Sequence, residues 1–253
     1  MVGWGTMYYL LSTISKSAIQ VWGSAVDTAM DGDVSGNLTY DPLGGLQLVR
    51  GVLIDAHFHE RGRQVRLKGG GDQHQVTVVQ GRLARLAADL GTGLAVGLDE
   101  DTALVCPALA PSCGVLGAGG VWTLGLSPAS CGAAPWRCGG LVTSYLTAGD
   151  SLQLADWSVH FAGDKEDVLG TGGLAPDQSE DIFGLRLGAS EYQRVAASLL
   201  LSPAASTARG RTRQTEPLQY SAVFSRDQGT RARASQGGIV SYSDLYLDLE
   251  NID

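Results

Sequence analysis

Apolar and polar residues alternate along the chain in short blocks that predict strands mixed with two helices. Short apolar runs bounded by glycine, proline or charged residues are typical of buried or half-buried strands. These runs are Leu48–Ile54, Leu94–Leu98, Ala103–Val105, Val121–Leu124, Leu141–Leu146, Ser151–Leu154, Tyr220–Phe224 and Leu245–Leu249. Helical spacing of apolar residues occurs in Gln80–Leu90 and most clearly in Ser190–Leu201, where Ser190 is suited to cap the helix. Strands mixed with helices indicate an α/β protein with a β-rich C-terminal part.

The composition excludes several classes of protein. The 253 residues include 35 glycines, and 44% of the chain is hydrophobic, which indicates a loop-rich globular protein instead of a disordered one. With 26 acidic residues against 18 basic ones we expect no binding to nucleic acid, because a phosphate backbone requires a basic surface. No apolar run approaches the roughly 18 residues that a membrane span needs, so we expect no membrane partner.

The expected compartment depends on the N-terminal segment and on the cysteines. The first 21 residues lack the basic start and continuous apolar core of a signal peptide, so the chain as written is expected in the cytoplasm; a secreted form would require a further N-terminal segment. The four cysteines form two pairs, Cys106/Cys113 and Cys131/Cys138, whose six-residue gaps do not suit a zinc site. Two disulfides, with three connectivities, and four reduced thiols are both compatible with this pattern. In an exported protein we expect pairing within the segment 106–138, because a crosslink restricts a Gly/Pro-rich loop.

Reactive side chains are densest directly after the predicted strand Leu48–Ile54, at the kind of strand end where α/β sheets usually bind ligands. Alternate strand positions face the same side, so Asp55, His57 and His59 could chelate zinc, and this run resembles the opening motif of the metal-dependent amidohydrolases. Only two other histidines remain in the chain, and the sequence that follows is Gly-rich instead of regularly helical. We therefore expect neither a metal nor another cofactor and keep the metal-dependent amidohydrolase as the weaker alternative.

Four segments of the chain follow the order of motifs known from one peptidase family. The first segment, Asp55–Phe58 with Arg61-Gly62-Arg63 and Arg66-Leu67, matches D-x-H-F-x-x-R-G-R-x-x-R-L. The second, Gly97–Ala103, matches G-I-D-E-x-T-A, and Gly117–Val121 and Leu146–Asp150 match the later G-x-G-x-V and L-x-x-G-D motifs. On these residues the chain resembles the cyanophycinase family, serine peptidases of the S51 type, over most of residues 43–155.

The resemblance implies a hydrolase that cleaves cyanophycin, an aspartate-backbone polymer decorated with arginine, to β-aspartyl-arginine dipeptides. Ser24, within Gly23-Ser24-Ala25, would be the nucleophile and His57 its general base. Glu100 would hold the imidazole in one tautomer.

The resemblance also implies which residues bind the substrate. Asp55, Arg61, Arg63 and Arg66 would contact it, the arginines because a guanidinium fork pairs with a carboxylate in bidentate geometry. The implied partners are an acidic peptide or cyanophycin-like polymer and, in a homodimer, a second copy of the chain.

The implied fold is a three-layer α/β sandwich with the class I glutamine-amidotransferase-like (flavodoxin-like) architecture and a β-rich C-terminal tail. The expected domains are an S51-like α/β domain at residues 1–202, with an insertion near 68–80, and an extension at 203–253 that packs on it. Few residues precede Ser24, and Val26 stands where the family has a glycine. A non-catalytic or N-terminally truncated homologue that only binds is therefore the alternative function.

Overall fold

Strands predominate in the part of the chain that the structure, a computed structural model, describes. The described residues are 20–21, 38–39, 52–56, 58, 83–84, 87–88, 91–107, 110–126, 130–132, 137–172, 175–186, 189–212 and 220–252. The strands are β1 Gln20–Val21, β2 Leu38–Thr39, β3 Val52–Ala56, β4 Leu94–Leu98, β5 Thr102–Val105, β6 Ser112–Gly117, β7 Gly120–Gly125, β8 Ser130–Gly132, β9 Arg137–Thr147, β10 Ser151–Gln153, β11 Val159–His160, β12 Glu166–Asp167, β13 Leu185–Arg186, β14 Ala189–Ser190, β15 Thr207–Arg211, β16 Tyr220–Ser225, β17 Arg231–Ala234 and β18 Ser241–Asn251. One helix, α1, spans Glu191–Leu201, and residues 83–84 and 87–88 are also helical. Every one of the eight predicted apolar runs overlaps an observed strand.

The fold is mostly β-sheet, so the prediction of a three-layer α/β sandwich with class I glutamine-amidotransferase-like architecture is wrong. That architecture repeats parallel strands joined by helices, whereas β3 and β4 form the one parallel strand pair among the described residues. Strands β4, β7 and β9 are antiparallel neighbours. The physical reason lies in what connects the paired strands: between β4 and β7 the chain forms the antiparallel hairpin β5–β6, where a parallel crossover would usually hold a helix.

Ten strands form the main sheet, in which β18 occupies a central position. The principal order is β12-β17-β18-β9-β7-β4-β3, with β16 also paired to β18, β15 to β16 and β8 to β9. Strand β18 pairs with β9 along one side. Along its other side it pairs first with β17 and then with β16. The strands of the C-terminal segment therefore continue the sheet that contains β9.

The main sheet is covered on both faces near its parallel pair. Because side chains alternate along a strand, Leu53 and Ala95 belong to one core cluster, and Ile54 and Val96 belong to the other. The first cluster includes the buried apolar residues of α1 together with Leu83, Ala84 and Ala87. The second lies between the main sheet and a four-stranded antiparallel sheet, β11-β10-β6-β5. Strand β4 is consequently buried at all five positions, which explains its continuous apolar sequence.

Helix α1 confirms the helix predicted at Ser190–Leu201. The Ser190 hydroxyl accepts a hydrogen bond from Gln193 N at 3.3 Å and so caps the first turn. The predicted apolar face is fully buried and consists of Tyr192, Val195, Ala196 and Leu199. No helix among the described residues is long and apolar enough to cross a membrane.

The first turn of α1 contains an ion pair, and a hydrogen bond from Ser179 ties it to the preceding segment. The Glu191 carboxylate accepts hydrogen bonds from Arg194 Nε at 2.8 Å and from Ser179 Oγ at 2.7 Å. The Arg194 bond lowers the pKa of Glu191 below its ordinary value, against the effect of burial, and the Ser179 bond lowers it further.

Both cysteine pairs form disulfides, and each links directly opposed strand positions. Cys131 and Cys138 are partners in the β8–β9 register. Cys106 and Cys113 are the next opposed pair after Val105 and Gly114, which are partners in the β5–β6 register. Of the three connectivities that the sequence allows, the structure therefore has the one that joins sequence neighbours and closes two short hairpins.

Candidate functional site

The first two sequence motifs meet at the carboxyl end of the parallel strand pair. Ala56, the last residue of β3, lies opposite Leu98, the last residue of β4. Phe58 N then donates a hydrogen bond to Leu98 O at 2.9 Å. The two chain neighbours of His57 are therefore both held beside Leu98, which precedes Glu100 by two residues. Because the pair is parallel, the segments that carry these motifs leave the sheet at the same edge.

A glycine and an aromatic ring make this junction close-packed. A Cβ at Gly97 would lie 2.5 Å from Cδ1 of the Phe58 ring, so the ring occupies the space that another residue would fill. The same ring packs at a centroid distance of 5.9 Å from Trp122 of β7. The Gly in the second motif and the Phe in the first are thus partners in packing, and their contact fixes β3 against β4.

Glu100 lies on an exposed turn whose backbone is held by several hydrogen bonds. Thr102 Oγ1 donates to Glu100 O at 2.9 Å and accepts from Gly119 N at 3.0 Å. Ala118 N donates to Asp101 O at 3.0 Å. Asp101 has a φ of 51°, the left-handed conformation that Asp tolerates better than most residues. The turn therefore presents the Glu100 side chain at the surface from a constrained backbone.

Asp99, which precedes Glu100, is a fully buried carboxylate with donors from two strands. Its Oδ1 accepts from Trp122 Nε1 at 2.9 Å. Its Oδ2 accepts from Tyr145 OH at 2.9 Å and from Gly120 N at 3.1 Å. Trp122 and Tyr145 are cross-strand partners in β7 and β9, and their rings lie 4.4 Å apart. A buried carboxylate is stable only when donors replace its water, and these three donors meet that need.

The third motif, Gly117–Val121, supplies the space for this arrangement. A Cβ at Gly119 would lie 2.8 Å from the Cβ of Asp99, and one at Gly120 would lie 2.6 Å from the hydroxyl oxygen of Tyr145. Gly117 has a φ of 125°, which only glycine adopts easily. The glycines of this turn therefore let the Glu100 turn and the Tyr145 side chain approach the backbone of β7.

The fourth motif, Leu146–Asp150, ends in a buried ion pair. Asp150 Oδ1 and Lys165 Nζ lie 2.7 Å apart, with 0% and 3% of the side chains exposed. Lys165 also donates to Thr147 Oγ1 at 2.7 Å and to Ser241 Oγ at 3.1 Å. The Asp150 carboxylate accepts in addition from the backbone N–H groups of Thr147 and Ala162. The ion pair and its hydrogen bonds therefore connect three parts of the chain: β9, β18 and the segment that precedes β12. The role of this motif in the fold is structural.

Two further tyrosines complete the aromatic cluster around Asp99. The Tyr192 ring packs edge-on against Trp122 at 5.0 Å, and the Tyr242 ring lies 6.2 Å from Tyr145. Burial raises the pKa of both Tyr192 and Tyr242 well above the usual range. Their phenol groups therefore stay protonated at any physiological pH.

The structure describes only part of the predicted site. Glu100 is on the turn described above, and Asp55 is placed by its backbone on β3, opposite Gly97. The remaining predicted residues, Ser24, His57, Arg61, Arg63 and Arg66, lie outside the described residues. His59 of the alternative zinc site also lies outside them. Within the described part of the chain, no group of three or more His, Cys, Asp or Glu side chains could hold a metal ion.

Sequence reasoning assigned no role to Asp99, Trp122 or Tyr145. The sequence did indicate that Trp122 needs a polar partner. Trp122 stands in a continuous apolar run, and a buried indole N–H usually requires an acceptor. Asp99 directly follows the five apolar residues of β4 and was the nearest acidic candidate. What the sequence does not contain is the pairing of β7 with both β4 and β9 that brings these side chains together. No family model matches the chain, so the likeness to the cyanophycinase family stands on the residues quoted above.

Proposed function

We propose that the chain is a cyanophycinase-like serine peptidase that hydrolyses an aspartate-backbone, arginine-decorated polymer to β-aspartyl-arginine dipeptides. The observation that supports this most directly is the position of Leu98, two residues before Glu100. Leu98 lies opposite Ala56 and accepts a hydrogen bond from Phe58 N, and these two residues flank His57 in the sequence. A base and its orienting carboxylate must be adjacent in space, and these two motifs leave neighbouring strands at one edge of the sheet.

In this proposal the three side chains act as in other serine peptidases. His57 removes the proton from Ser24 Oγ as that oxygen attacks the carbonyl carbon of the scissile amide, and the imidazolium then protonates the leaving amine. Water hydrolyses the resulting acyl-enzyme ester with His57 again as the base, which restores the Ser24 hydroxyl. Glu100 keeps the imidazole in the tautomer that can accept the proton and stabilises the imidazolium that forms.

The constrained turn at Glu100 fits the role of an orienting carboxylate. Such a residue contributes by its position, and a loss of geometry costs rate even where the charge is retained. The Glu100 backbone is held by Thr102 and Gly119 and by the buried side chain of the preceding residue, Asp99. Arg61, Arg63 and Arg66 would pair with carboxylates of the substrate, as the resemblance to the family implies.

The test is the release of β-aspartyl-arginine from cyanophycin by the full chain and by four variants. Ser24→Ala and His57→Ala are expected to lower kcat by several orders of magnitude, and Glu100→Gln by about 10⁴-fold. Glu166→Gln is the matched control, since it makes the same change at an exposed carboxylate on β12, at the opposite edge of the main sheet from β3. It should leave kcat within about two-fold of the parent value.

Three outcomes would contradict the proposal. Activity that survives Ser24→Ala would mean that another group is the nucleophile. Inhibition by EDTA would favour the zinc site built from Asp55, His57 and His59. Binding of cyanophycin without any hydrolysis by the unaltered chain would favour a homologue that only binds its polymer.

A further inference from the structure

We infer that Asp99 is the positioning residue of the site: its buried carboxylate anchors the turn that presents Glu100 to the general base. This inference rests on the proposed function. Asp99 itself is fully buried and is thus separated from any substrate, while the next residue is exposed. Asp99 therefore holds the backbone to the core, and Glu100 is the residue that reaches the surface.

The hydrogen bonds of Asp99 fix the start of the turn to two neighbouring strands. Gly120 N and Trp122 Nε1 hold the carboxylate to β7, and Tyr145 OH holds it to β9. The backbone adds a further bond, because Asp99 N donates to Gly120 O at 3.1 Å. Three donors in different directions leave the carboxylate one orientation, and this orientation sets the path of the chain into Glu100.

Stability alone gives no reason for a carboxylate at this position. Taking a charge out of water is costly, and a well-packed apolar residue in its place is often neutral or stabilising. An apolar side chain would lack the directional bonds that Asp99 receives from Tyr145 and Trp122. The arrangement therefore favours a role in geometry, of the kind on which an orienting carboxylate depends.

The C-terminal end of the turn is held by other hydrogen bonds, so Asp99 affects the position of only a short segment. Thr102 Oγ1 bridges Glu100 O and Gly119 N, and Ala118 N binds the carbonyl oxygen of Asp101. Loss of the Asp99 anchor would release the N-terminal end of the turn while its C-terminal end stays attached. We expect Glu100 to shift relative to the general base under these conditions, without unfolding of the sheet.

Two variants weaken the anchor, and a third serves as the control. Asp99→Asn keeps the shape but replaces one acceptor by an NH₂ group, which cannot satisfy all three donors. Tyr145→Phe removes one donor and keeps the ring on Trp122. Tyr242→Phe makes the same change on a neighbouring buried ring, whose hydroxyl is not one of the three donors that hold Asp99.

The activity measurement is steady-state hydrolysis of cyanophycin over a range of pH. We expect Asp99→Asn to lower kcat by about 10- to 100-fold with KM within about two-fold, because a displacement near 1 Å costs rates of this size. Tyr145→Phe should have a smaller effect in the same direction. The acidic limb of the kcat/KM profile should move to lower pH in both variants, since an imidazole that loses a carboxylate neighbour is easier to deprotonate. Tyr242→Phe should leave the profile unchanged.

Amide hydrogen exchange supplies a measurement that does not depend on activity. Exchange at Gly120, whose N–H binds the Asp99 carboxylate, should become at least about 10-fold faster in Asp99→Asn. The Gly119 amide, which binds Thr102, and the amides of the distant strand β16 should keep their rates. Unchanged exchange at Gly120 in Asp99→Asn would overturn the inference, and so would a loss of kcat that Tyr242→Phe shares equally. If the unaltered chain is inactive but exchange behaves as expected, the proposed function fails while the anchoring by Asp99 stands.

Discussion

Replacing Lys165 by Met should destabilise the fold strongly, because it leaves Asp150 charged and buried. The two side chains are 3% and 0% exposed, and Nζ lies 2.7 Å from Oδ1. At an effective dielectric constant of about 20 this separation corresponds to about 6 kcal/mol of attraction. Removing Lys165 also removes the cost of burying its ammonium group, and Asp150 keeps the bonds from Thr147 N and Ala162 N. The free energy of unfolding should therefore fall by about 3–4 kcal/mol, within the range for broken buried pairs.

Urea unfolding with the disulfides intact measures this loss. Arg211→Met is the matched control, since Arg211 pairs with Glu180 where the side chains are 42% and 72% exposed, and it should cost less than about 1 kcal/mol. Adding Asp150→Asn to Lys165→Met should recover part of the stability, because the amide carries no charge. A loss below about 1 kcal/mol for Lys165→Met at an unchanged m-value would refute the reasoning.

Three other changes test separate parts of the fold. Replacing Cys106 and Cys113 together by Ala should lower the free energy of unfolding by about 2–3 kcal/mol, as expected for a short closed loop. Thiol titration of the unaltered protein, denatured without reduction, should detect no free thiol. Glu191→Gln should cost about 1–2 kcal/mol at neutral pH. Since the folded-state pKa of Glu191 is lowered, its stabilisation is complete above the unfolded value and is lost as pH falls through the folded one. The difference in the free energy of unfolding between the unaltered protein and Glu191→Gln should therefore shrink as the pH is lowered below the ordinary glutamate pKa. Gly120→Ala should lower the free energy of unfolding by about 1–3 kcal/mol through overlap with the Tyr145 ring, whereas Gly114→Ala, with open space at its Cβ, should cost less; thermal melts of the two variants measure the difference.

Local elements could be predicted from the sequence because their signals are local. Helix α1 has an apolar face with helical spacing and a serine at its start, and both features act within a few residues. Strand β4 is a continuous apolar run that is followed by three acidic residues. Such patterns specify which segments are strands or helices, but they do not specify which strands pair.

Pairing was the part that could not be predicted, and it decided the fold class. The apolar runs of β4, β7 and β9 suit a parallel sheet as well as an antiparallel one. The connection from β4 to β7 is long enough for a parallel crossover, so its length does not decide between the two arrangements. The same limit applies to the candidate site. The family resemblance implied that Glu100 lies beside His57, but the bonds of Asp99 depend on residues more than 20 positions away in the sequence.

The central position of β18 has a consequence for biosynthesis. Asp244 N donates to Ser144 Oγ, a contact that spans 100 residues of sequence, and β18 provides the whole pairing of β9 along that side. At about 5–20 residues per second, a ribosome needs about 5–20 s after completing β9 to deliver its partner. During that interval the nascent chain exposes a long unpaired strand edge, which is a site for intermolecular pairing. Chaperone occupancy of β9 during translation should therefore govern the yield of folded protein, and slow codons between residues 150 and 240 should reduce that yield without changing the native state.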